Sequence, residues 1–279
     1  MTSPITIVTG TSSGIGLEIA VQAAVAGHTV IATMRDLAKA GALRDAASAR
    51  GATVDIRQLD VTDQSSIDAC IASVVADHGR IDALVNNAGA GHVGTIENET
   101  LDDVRKVMEV NFFGVVAATK AALPHLRASA GRIVTVTSVG GAVGQPFSEA
   151  YCAAKFAVEG FMESLAPVAG TVGVRVSVVE PGAVASEFVP NIGLSSATMV
   201  AEAGPYGPAL GAYLARSGQS FANAQSSADA AAAIVEVLEA DAPPARAQTS
   251  EGARAFVGVK YADLDGGAVQ RLTGEWVAG

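Results

Sequence analysis

Residues 5–9 (Ile-Thr-Ile-Val-Thr) are a short β-branched run that stops at Gly10, and an alanine-rich stretch of good helix formers fills Ile15 to Ala26. That pattern predicts strand, glycine turn and helix. The alternation recurs: strands near 29–33, 53–58 and 81–86 are separated by helices near 37–49 and 64–78. A long helical stretch over about 101–128 leads to Arg132-Ile-Val-Thr-Val-Thr137, and a second over about 149–168 leads to Val174-Arg-Val-Ser-Val-Val179. Pro167 predicts that the second helix ends or kinks there. Each crossover of a repeated βαβ unit returns the chain to the same end of the sheet, so the strands run parallel. Six of them in two βαβαβ halves predict a doubly wound α/β sheet with helices on both faces.

The tract from Pro181 to Pro244 holds six of the ten prolines, and its regular pattern is poor until Ala230–Leu238. It predicts an extended excursion at about 185–225, then a last helix and a final strand near Ala247–Thr249. With that strand the Rossmann-like sheet has about seven strands, in one domain over residues 1–279. The last 25 residues, including Trp276, receive no predicted place.

Composition narrows the function. The chain is 49% hydrophobic over 279 residues, enough for a sizeable core. Its 18 Lys and Arg against 28 Asp and Glu give a net charge of -10, which repels nucleic acid and anionic membranes and leaves small molecules or other protein chains as partners. Charged residues make up 16%, below the roughly 25% of an average globular protein, which points to homo-oligomerisation. Cys70 and Cys152 are too few for a disulfide framework and lack metal-ligand spacing, so a reducing cytoplasm and no metal are expected. The amino terminus shows no export signal, and no uninterrupted apolar run reaches about 18 residues, so the expectation is a soluble, unexported protein.

Thr9-Gly-Thr-Ser-Ser-Gly-Ile-Gly16 places Gly10, Gly14 and Gly16 between the first strand and the first helix. Glycine permits a tight turn and close approach of backbone to a pyrophosphate, and the helix start offers unpaired N–H groups. The spacing is G-x-x-x-G-x-G, not the familiar G-x-G-x-x-G. Its place on the first βα turn favours a nucleotide site over an ordinary connection. The second strand, Val30-Ile-Ala-Thr-Met34, ends without a carboxylate to hold a ribose 2′-hydroxyl; Arg35 follows, suited with the Ser12 hydroxyl to a 2′-phosphate. NADP(H) is therefore expected over NAD(H). The alternative is a solvated Arg35 beside a helix-capping Asp36. Asp60, after the third strand, either meets the adenine amino group or is a turn residue.

Tyr151 and Lys155 stand four apart at the start of a predicted helix and share a face, while Ser138 closes the fifth strand at the carboxyl edge that carries the glycine turn. A tyrosine with a pKa of about 10 exchanges protons poorly at neutral pH. A neighbouring ammonium favours its phenolate, and a serine hydroxyl can hold the substrate oxygen.

Taken together, Thr9-Gly-x-x-x-Gly-Ile-Gly16, Asp60-Val61, Asn86-Asn-Ala-Gly89, Asn111, Ser138, Tyr151-Cys-Ala-Ala-Lys155 and Pro181-Gly182 resemble the short-chain dehydrogenase/reductase family along nearly all of residues 4–190. The resemblance implies that Ser138 holds substrate, Tyr151 is the acid/base, Lys155 is a cofactor-ribose ligand, and Asn111 supports a water-linked proton relay to Lys155. It also implies cofactor contacts from Gly10, Ser12, Ser13, Gly14, Ile15, Gly16, Arg35, Asp60, Val61, Asn87, Ala88, Gly89, Pro181, Gly182, Val184 and Ser186. Asn87 and Gly89 would also stabilise the central strands, and the excursion at about 185–225 would be substrate-covering. Ala32-Thr-Met-Arg-Asp36, Ser138-Val-Gly-Gly141, Pro146-Phe147 and Tyr151 to Gly160 are similar to the 17β-hydroxysteroid and retinol dehydrogenase branch, which implies a hydrophobic secondary alcohol or ketone, steroid-like or retinoid-like. It further implies a homodimer or homotetramer through the helices at 101–128 and 149–168.

Two other readings share these residues: a nucleotide-sensing regulator without turnover, against which the intact proton-transfer set argues, and a broad aldehyde or quinone reductase. Cys152 is expected to be a packed small residue, not a redox thiol. His28, His78, His92 and His125 are expected in loop and helix-end roles, with His92 near the cofactor cleft. Tyr206, Tyr213 and Phe221 are lid aromatics or core residues.

Overall fold

The computed structural model of the chain describes residues 3–185, 196–222 and 224–278. The strands are β1 (Ile5–Thr9), β2 (Thr29–Met34), β3 (Val54–Gln58), β4 (Ala83–Asn86), β5 (Arg132–Val136), β6 (Arg175–Glu180), the two-residue β7 (Val184–Ala185) and β8 (Gln225–Ser226), and β9 (Arg246–Gln248). Seven form one sheet in the order β3-β2-β1-β4-β5-β6-β9, while β7 and β8 pair by themselves. Every pairing is parallel; Val8, for example, faces Ala32 on one side and Val85 on the other. The central β1 and β4 are buried at every position, as expected of strands covered on both faces. At the edge, Asp55 and Arg57 of β3 alternate with Val54 and Ile56.

The helices divide between the two faces. In chain order they are α1 (Gly14–Val25), α2 (Gly41–Ala49), α3 (Gln64–His78), α4 (Leu101–Met108), α5 (Gly114–Ser129), α6 (Glu149–Gly170), α7 (Ser196–Glu202), α8 (Gly207–Ala222), α9 (Ser227–Glu239), α10 (Glu251–Ala262) and α11 (Gly267–Gly274). On one face α1, α2 and α9 cover the sheet, with Ala20 and Ala23 clustered with Ala231 and Ile234 so that the backbones of α1 and α9 lie close. On the other, Ile67 and Ile71 of α3, Val115 and Leu126 of α5, and Val158 and Met162 of α6 pack on Ile7, Leu84 and Ile133. Each such fully buried side chain contributes about 1.5–3 kcal/mol. Local signals fix the ends: the Asp63 carboxylate accepts from the Ser65 N–H to open α3, Gly79 closes it at φ 74°, and Thr100 and Asp103 form a reciprocal capping box on α4.

The helical stretch over 101–128 is present as α4 and α5, joined by a π turn at Glu109–Phe113. Two expectations need correction. Helix α6 neither ends nor breaks at Pro167 but runs on to Gly170; Pro167 is exposed in the final turn, where only one backbone bond is lost. The excursion carries α7 and α8 between β7 and β8, because Leu210 and Tyr213 of α8 bury against Phe147 and outweigh the weak helix propensity of Gly207, Pro208, Gly211 and Gly218.

The last 25 residues form most of α10 and α11. Ala253 and Val257 pack on Val139, Ala142 and Val143 behind Ser138. Trp276 stacks on Phe256 at 5.6 Å and receives Arg216 of α8 at 5.2 Å from its ring centre. Among the described residues, the rod Leu101–Ser129 alone has the length and mean hydropathy (1.2) of a membrane span. Its Val115, Ala118, Ala122 and Leu126 belong to the cluster against the sheet.

Candidate active site

Strand order reverses at the β1–β4 junction, so the carboxyl ends of these strands flank a crevice, the usual ligand position in such sheets. The glycine turn enters this crevice under tight constraint. Gly10 has φ 71°, and a Cβ there would lie 2.7 Å from the Ala88 Cα; a Cβ on Gly16 would lie 2.2 Å from both the Asn87 Nδ2 and the Gly10 carbonyl oxygen. The Asn87 amide donates to the carbonyls of Thr9 (2.9 Å) and Gly10 (3.0 Å), and the Thr9 hydroxyl accepts from the N–H groups of Asn87 (2.9 Å) and Ala88 (3.0 Å). Thr11 ties the other side, its N–H and hydroxyl donating to the Thr33 carbonyl at 3.0 and 3.1 Å.

Helix α1 starts from Ser13 with no side-chain cap, so the N–H groups of Gly14, Ile15 and Gly16 stand at a turn the helix cannot satisfy internally. Ser12 is half-buried and Ser13 exposed beside them. These residues fit a pyrophosphate: the first N–H groups of α1 lack partners within the helix, and Gly10 and Gly16 pack so tightly on Ala88 and Asn87 that no side chain stands between the turn and the loop after β4. Arg35 is exposed just past β2, and the Asp36 carboxylate accepts from the Ala38 N–H instead of facing the crevice. Asp60 accepts from the N–H (3.0 Å) and hydroxyl (2.7 Å) of Thr62, the geometry of a turn residue. Val61 lies against Gly114, where a Cβ would come within 2.9 Å of it.

Tyr151 and Lys155 lie one turn apart on α6, and the Lys155 Nζ is 5.8 Å from the Tyr151 ring centre. Ser138 follows β5 and hydrogen-bonds the Tyr151 hydroxyl, and its Oγ accepts from the Gly140 N–H at 3.0 Å. Lys155 is buried, donating to the Val136 carbonyl at 3.3 Å. Burial lowers its ammonium to about 8, a fall opposed by the negative charge of Glu159. Burial pushes the Tyr151 phenol above its usual value, against the pull of the Ser138 hydrogen bond.

Asn111 is fully buried in the π turn. Such a turn shifts the backbone donors by one residue. The Asn111 amide serves the Val107 carbonyl at 3.1 Å, and also exchanges hydrogen bonds with the Ala90 carbonyl (3.0 Å) and N–H (3.1 Å). A Cβ on Gly89 would lie 2.9 Å from the Asn111 Oδ1 and 3.5 Å from the Lys155 Nζ, so this glycine lets the loop after β4 cross directly over both. The set Ser138, Tyr151, Lys155 and Asn111 thus converges at the carboxyl edge.

Of the remaining candidates, Pro181 accepts from the Val139 N–H at 2.9 Å, Gly182 lies against Ala253, and Val184 is buried in β7. Ser186 lies outside the described residues. His92 pairs with Glu99 at 2.8 Å. Tyr213 is buried 5.6 Å from Phe147, whereas Tyr206 is exposed and donates to Glu97 at 2.9 Å. Phe147, four residues before Tyr151, sits at φ 57°, a left-handed conformation unusual for an aromatic residue, held by the Gly94 N–H on its carbonyl (2.9 Å) and by Tyr213. Among the described residues, no group of three or more His, Cys, Asp or Glu is placed to hold a metal ion. Sequence reasoning missed the bracing role of the Thr9 and Thr11 hydroxyls and the pairing of buried Glu159 with half-buried Arg246; a threonine on each side of the first glycine was the available signal for the former.

A family model described as short chain dehydrogenase matches residues 4–196. Retinol dehydrogenase 8 of Bos taurus is 40% identical over 277 residues, covering 96% of this chain and 88% of that protein. Estradiol 17-beta-dehydrogenase 1 of Rattus norvegicus is 44% identical over 195 residues, 67% of this chain and 56% of that protein. The crystal structure of a short-chain dehydrogenase from Streptomyces avermitilis matches with a TM-score of 0.76 at 31% identity, over 97% of this chain and 98% of that one.

Proposed function

The chain belongs to the short-chain dehydrogenases, in the branch of the retinol and 17β-hydroxysteroid dehydrogenases, and we propose that it binds NADP(H) and interconverts a hydrophobic alcohol and its carbonyl with Tyr151 as acid/base. The observation that carries this reading is the meeting of Ser138, Tyr151 and buried Lys155 beside a glycine cradle that fits a pyrophosphate. When bound, the nicotinamide supplies or accepts the hydride. In reduction the Ser138 hydroxyl orients the substrate oxygen and Tyr151 gives it a proton; in oxidation Tyr151 takes the proton back. The Lys155 ammonium offsets the burial cost of the phenolate and donates to a ribose hydroxyl. Asn111 fixes the loop above Lys155 through Ala90 and supports proton passage along that side.

Arg35 supports NADP(H), since no carboxylate at the end of β2 would repel a 2′-phosphate and Ser12 lies in the turn after β1, the strand paired with β2. The apolar cluster of Val93, Phe147, Met199, Leu210, Tyr213 and Trp276, packed on the segment that precedes Tyr151, supports a hydrophobic substrate. In this reading α7, α8 and the carboxy-terminal helices are part of a single catalytic domain, and the protein works in a reducing cytoplasm with Cys70 and Cys152 as thiols.

The test is fluorescence titration with NADPH and NADH, followed by turnover with retinal, estrone and a panel of simpler ketones and aldehydes. NADPH is expected to bind more tightly than NADH and to be oxidised with at least one carbonyl. Tyr151→Phe is expected to lose at least about 100-fold in kcat while binding NADPH normally. Full turnover by Tyr151→Phe would overturn the assignment, and tight NADPH binding with no turnover across the panel would favour a sensor.

A further inference from the structure

Glu159 stands one turn beyond Lys155 on the same face of α6, 5% exposed, and takes no part in the proton transfer proposed above. An ionised carboxylate at such depth is costly unless it is paired and fully hydrogen-bonded. It has both kinds of partner. The Thr137 hydroxyl, next to Ser138, donates to its Oε1, and Arg246 of β9 donates to its Oε2 from Nη2 at 3.1 Å and from Nε at 3.4 Å. Arg246 also reaches Glu180 of β6 at 3.2 Å and Glu163 at 3.4 Å, with its guanidinium 4.8 Å from the Tyr261 ring centre. Room for the carboxylate comes from Gly141, where a Cβ would lie 3.0 Å from the Glu159 Cγ and 3.3 Å from the Lys155 carbonyl oxygen. One buried acid therefore links the segments that carry Ser138, Lys155 and, through Arg246 and Glu180, Pro181.

We propose that Glu159 is a positioning residue for Lys155: clamped by Thr137 and Arg246 one turn along α6, it is the buried countercharge that keeps the ammonium charged beside Tyr151, and Arg246 sets how much of that charge Lys155 feels. The proposal rests on the reading of Lys155 as the partner of Tyr151. The cluster sets two cations, Lys155 and Arg246, against the buried carboxyl groups of Glu159 and Glu180, with the exposed Glu163 at its edge. The other titratable groups around Lys155 are Tyr151, Cys152 and the exposed Glu163 on α6 itself and Tyr261 on α10. On the α4 side they are the exposed Asp102, Arg105, Lys106 and Glu109 and the half-buried Asp103. Of all these, Glu159 is the charge that acts against the fall of Lys155.

Opposite charges in one pair predict opposite effects, which loss of packing cannot imitate. Removing the charge of Glu159 disfavours the ammonium, so Lys155 releases its proton at lower pH. Removing the charge of Arg246 leaves Glu159 less neutralised, so Lys155 holds its proton to higher pH. The measurement is an NMR pH titration of full-length protein carrying 13C at the lysine Cε, with the Lys155 signal identified by its loss in Lys155→Met. Glu159→Gln is expected to lower the midpoint by about one pH unit, Arg246→Gln to raise it by about half a unit, and Arg246→Lys to leave it near the wild-type value.

Midpoints that do not move, or that move the same way in both variants, would overturn the proposal; if Glu159→Gln does not fold, Arg246→Gln against Arg246→Lys makes the same comparison. Where retinal or estrone is turned over, the pH at which its reduction by NADPH falls to half should move in step with the midpoints. Midpoint shifts as predicted in a protein that turns over no carbonyl would reject the enzymatic reading and keep the electrostatic one, whereas turnover with unmoved midpoints would reject Glu159 alone.

Discussion

A methyl group on Gly16 would meet the Gly10 carbonyl oxygen and the Asn87 amide at 2.2 Å, and neither has freedom to retreat because Asn87 is already held by Thr9 and Gly10. Gly16→Ala is therefore expected to weaken NADPH binding at least about tenfold and to lower the melting temperature, since forced overpacking costs about 1–3 kcal/mol. Wild-type NADPH affinity in that variant, measured by fluorescence titration, would show that the turn is no phosphate cradle. The two thiols are a second case. Burial pushes Cys70 and Cys152 up to about 11, so both are expected to resist a thiol reagent such as DTNB at pH 7.5 in the native protein and to react on unfolding. Between pH 9.0 and about 11 the unfolded thiols lose protons that the folded ones keep, so each thiol's contribution to stability falls as pH rises, by on the order of 1–2 kcal/mol. Lys155 acts in the opposite sense from about 8 to 10.5, where the unfolded chain holds the extra proton. The informative comparison is thus wild type against Cys70→Ala, whose alkaline loss of stability in urea titrations should be the smaller. At this scale the glycines, Ser138, Tyr151 and Lys155 were legible because each belongs to a short local pattern. Arg246 was not, since 87 residues separate it from Glu159 and nothing local marks an arginine on a late strand as the partner of a buried acid.

Among the elements, those that bury apolar residues on a regular period were readable, and those assembled by tertiary contact were not. The parallel strands show as β-branched runs because both faces are covered, and α3 lies where the strand–helix alternation placed a helix at 64–78. Helix α8 carries three glycines and a proline, so its existence depends on Leu210 and Tyr213 finding Phe147, a partner no local rule supplies. The π turn at Glu109–Phe113 was equally hidden, because its cause is the inward Asn111 amide and not a helix breaker. Pro167 offers a test of how firmly tertiary packing holds α6. The neighbouring Ala169 is buried with Val174 and Val176, and this anchors the last turn despite the missing N–H. Pro167→Ala restores a backbone bond to the Glu163 carbonyl at an exposed position about 24 Å along the helix from Tyr151. It is expected to raise unfolding free energy by about 1–3 kcal/mol with kcat and KM unchanged. A lower melting temperature would mean that the proline ring, and not the packing of Ala169, holds this end.

For the whole molecule, the low charge content seen in the sequence has a structural counterpart. Leu101, Phe113 and Phe156 are 70%, 50% and 39% exposed, on α4, the π turn and α6, which pack side by side. Single exposed apolar residues need no explanation, but three large ones on adjacent helices favour burial against a second copy. In the assembly we propose, a homodimer or homotetramer joined through this face, sedimentation at micromolar concentration yields two or four times 27.9 kDa, and a Phe113→Asp, Phe156→Asp double variant yields the monomer. A wild-type protein that sediments only as the 27.9 kDa monomer would refute it. The position of the face carries a further consequence. Phe113 lies two residues after Asn111 and Phe156 directly follows Lys155, so assembly would press on the back of the turns that present those two side chains, while the glycine cradle lies on the other half of the sheet. The monomeric variant should therefore keep NADPH affinity within about twofold while losing kcat about tenfold, the amount that about 1.4 kcal/mol of lost positioning would remove. Equal losses in NADPH binding and turnover would mean instead that the substitutions disturb the fold as a whole.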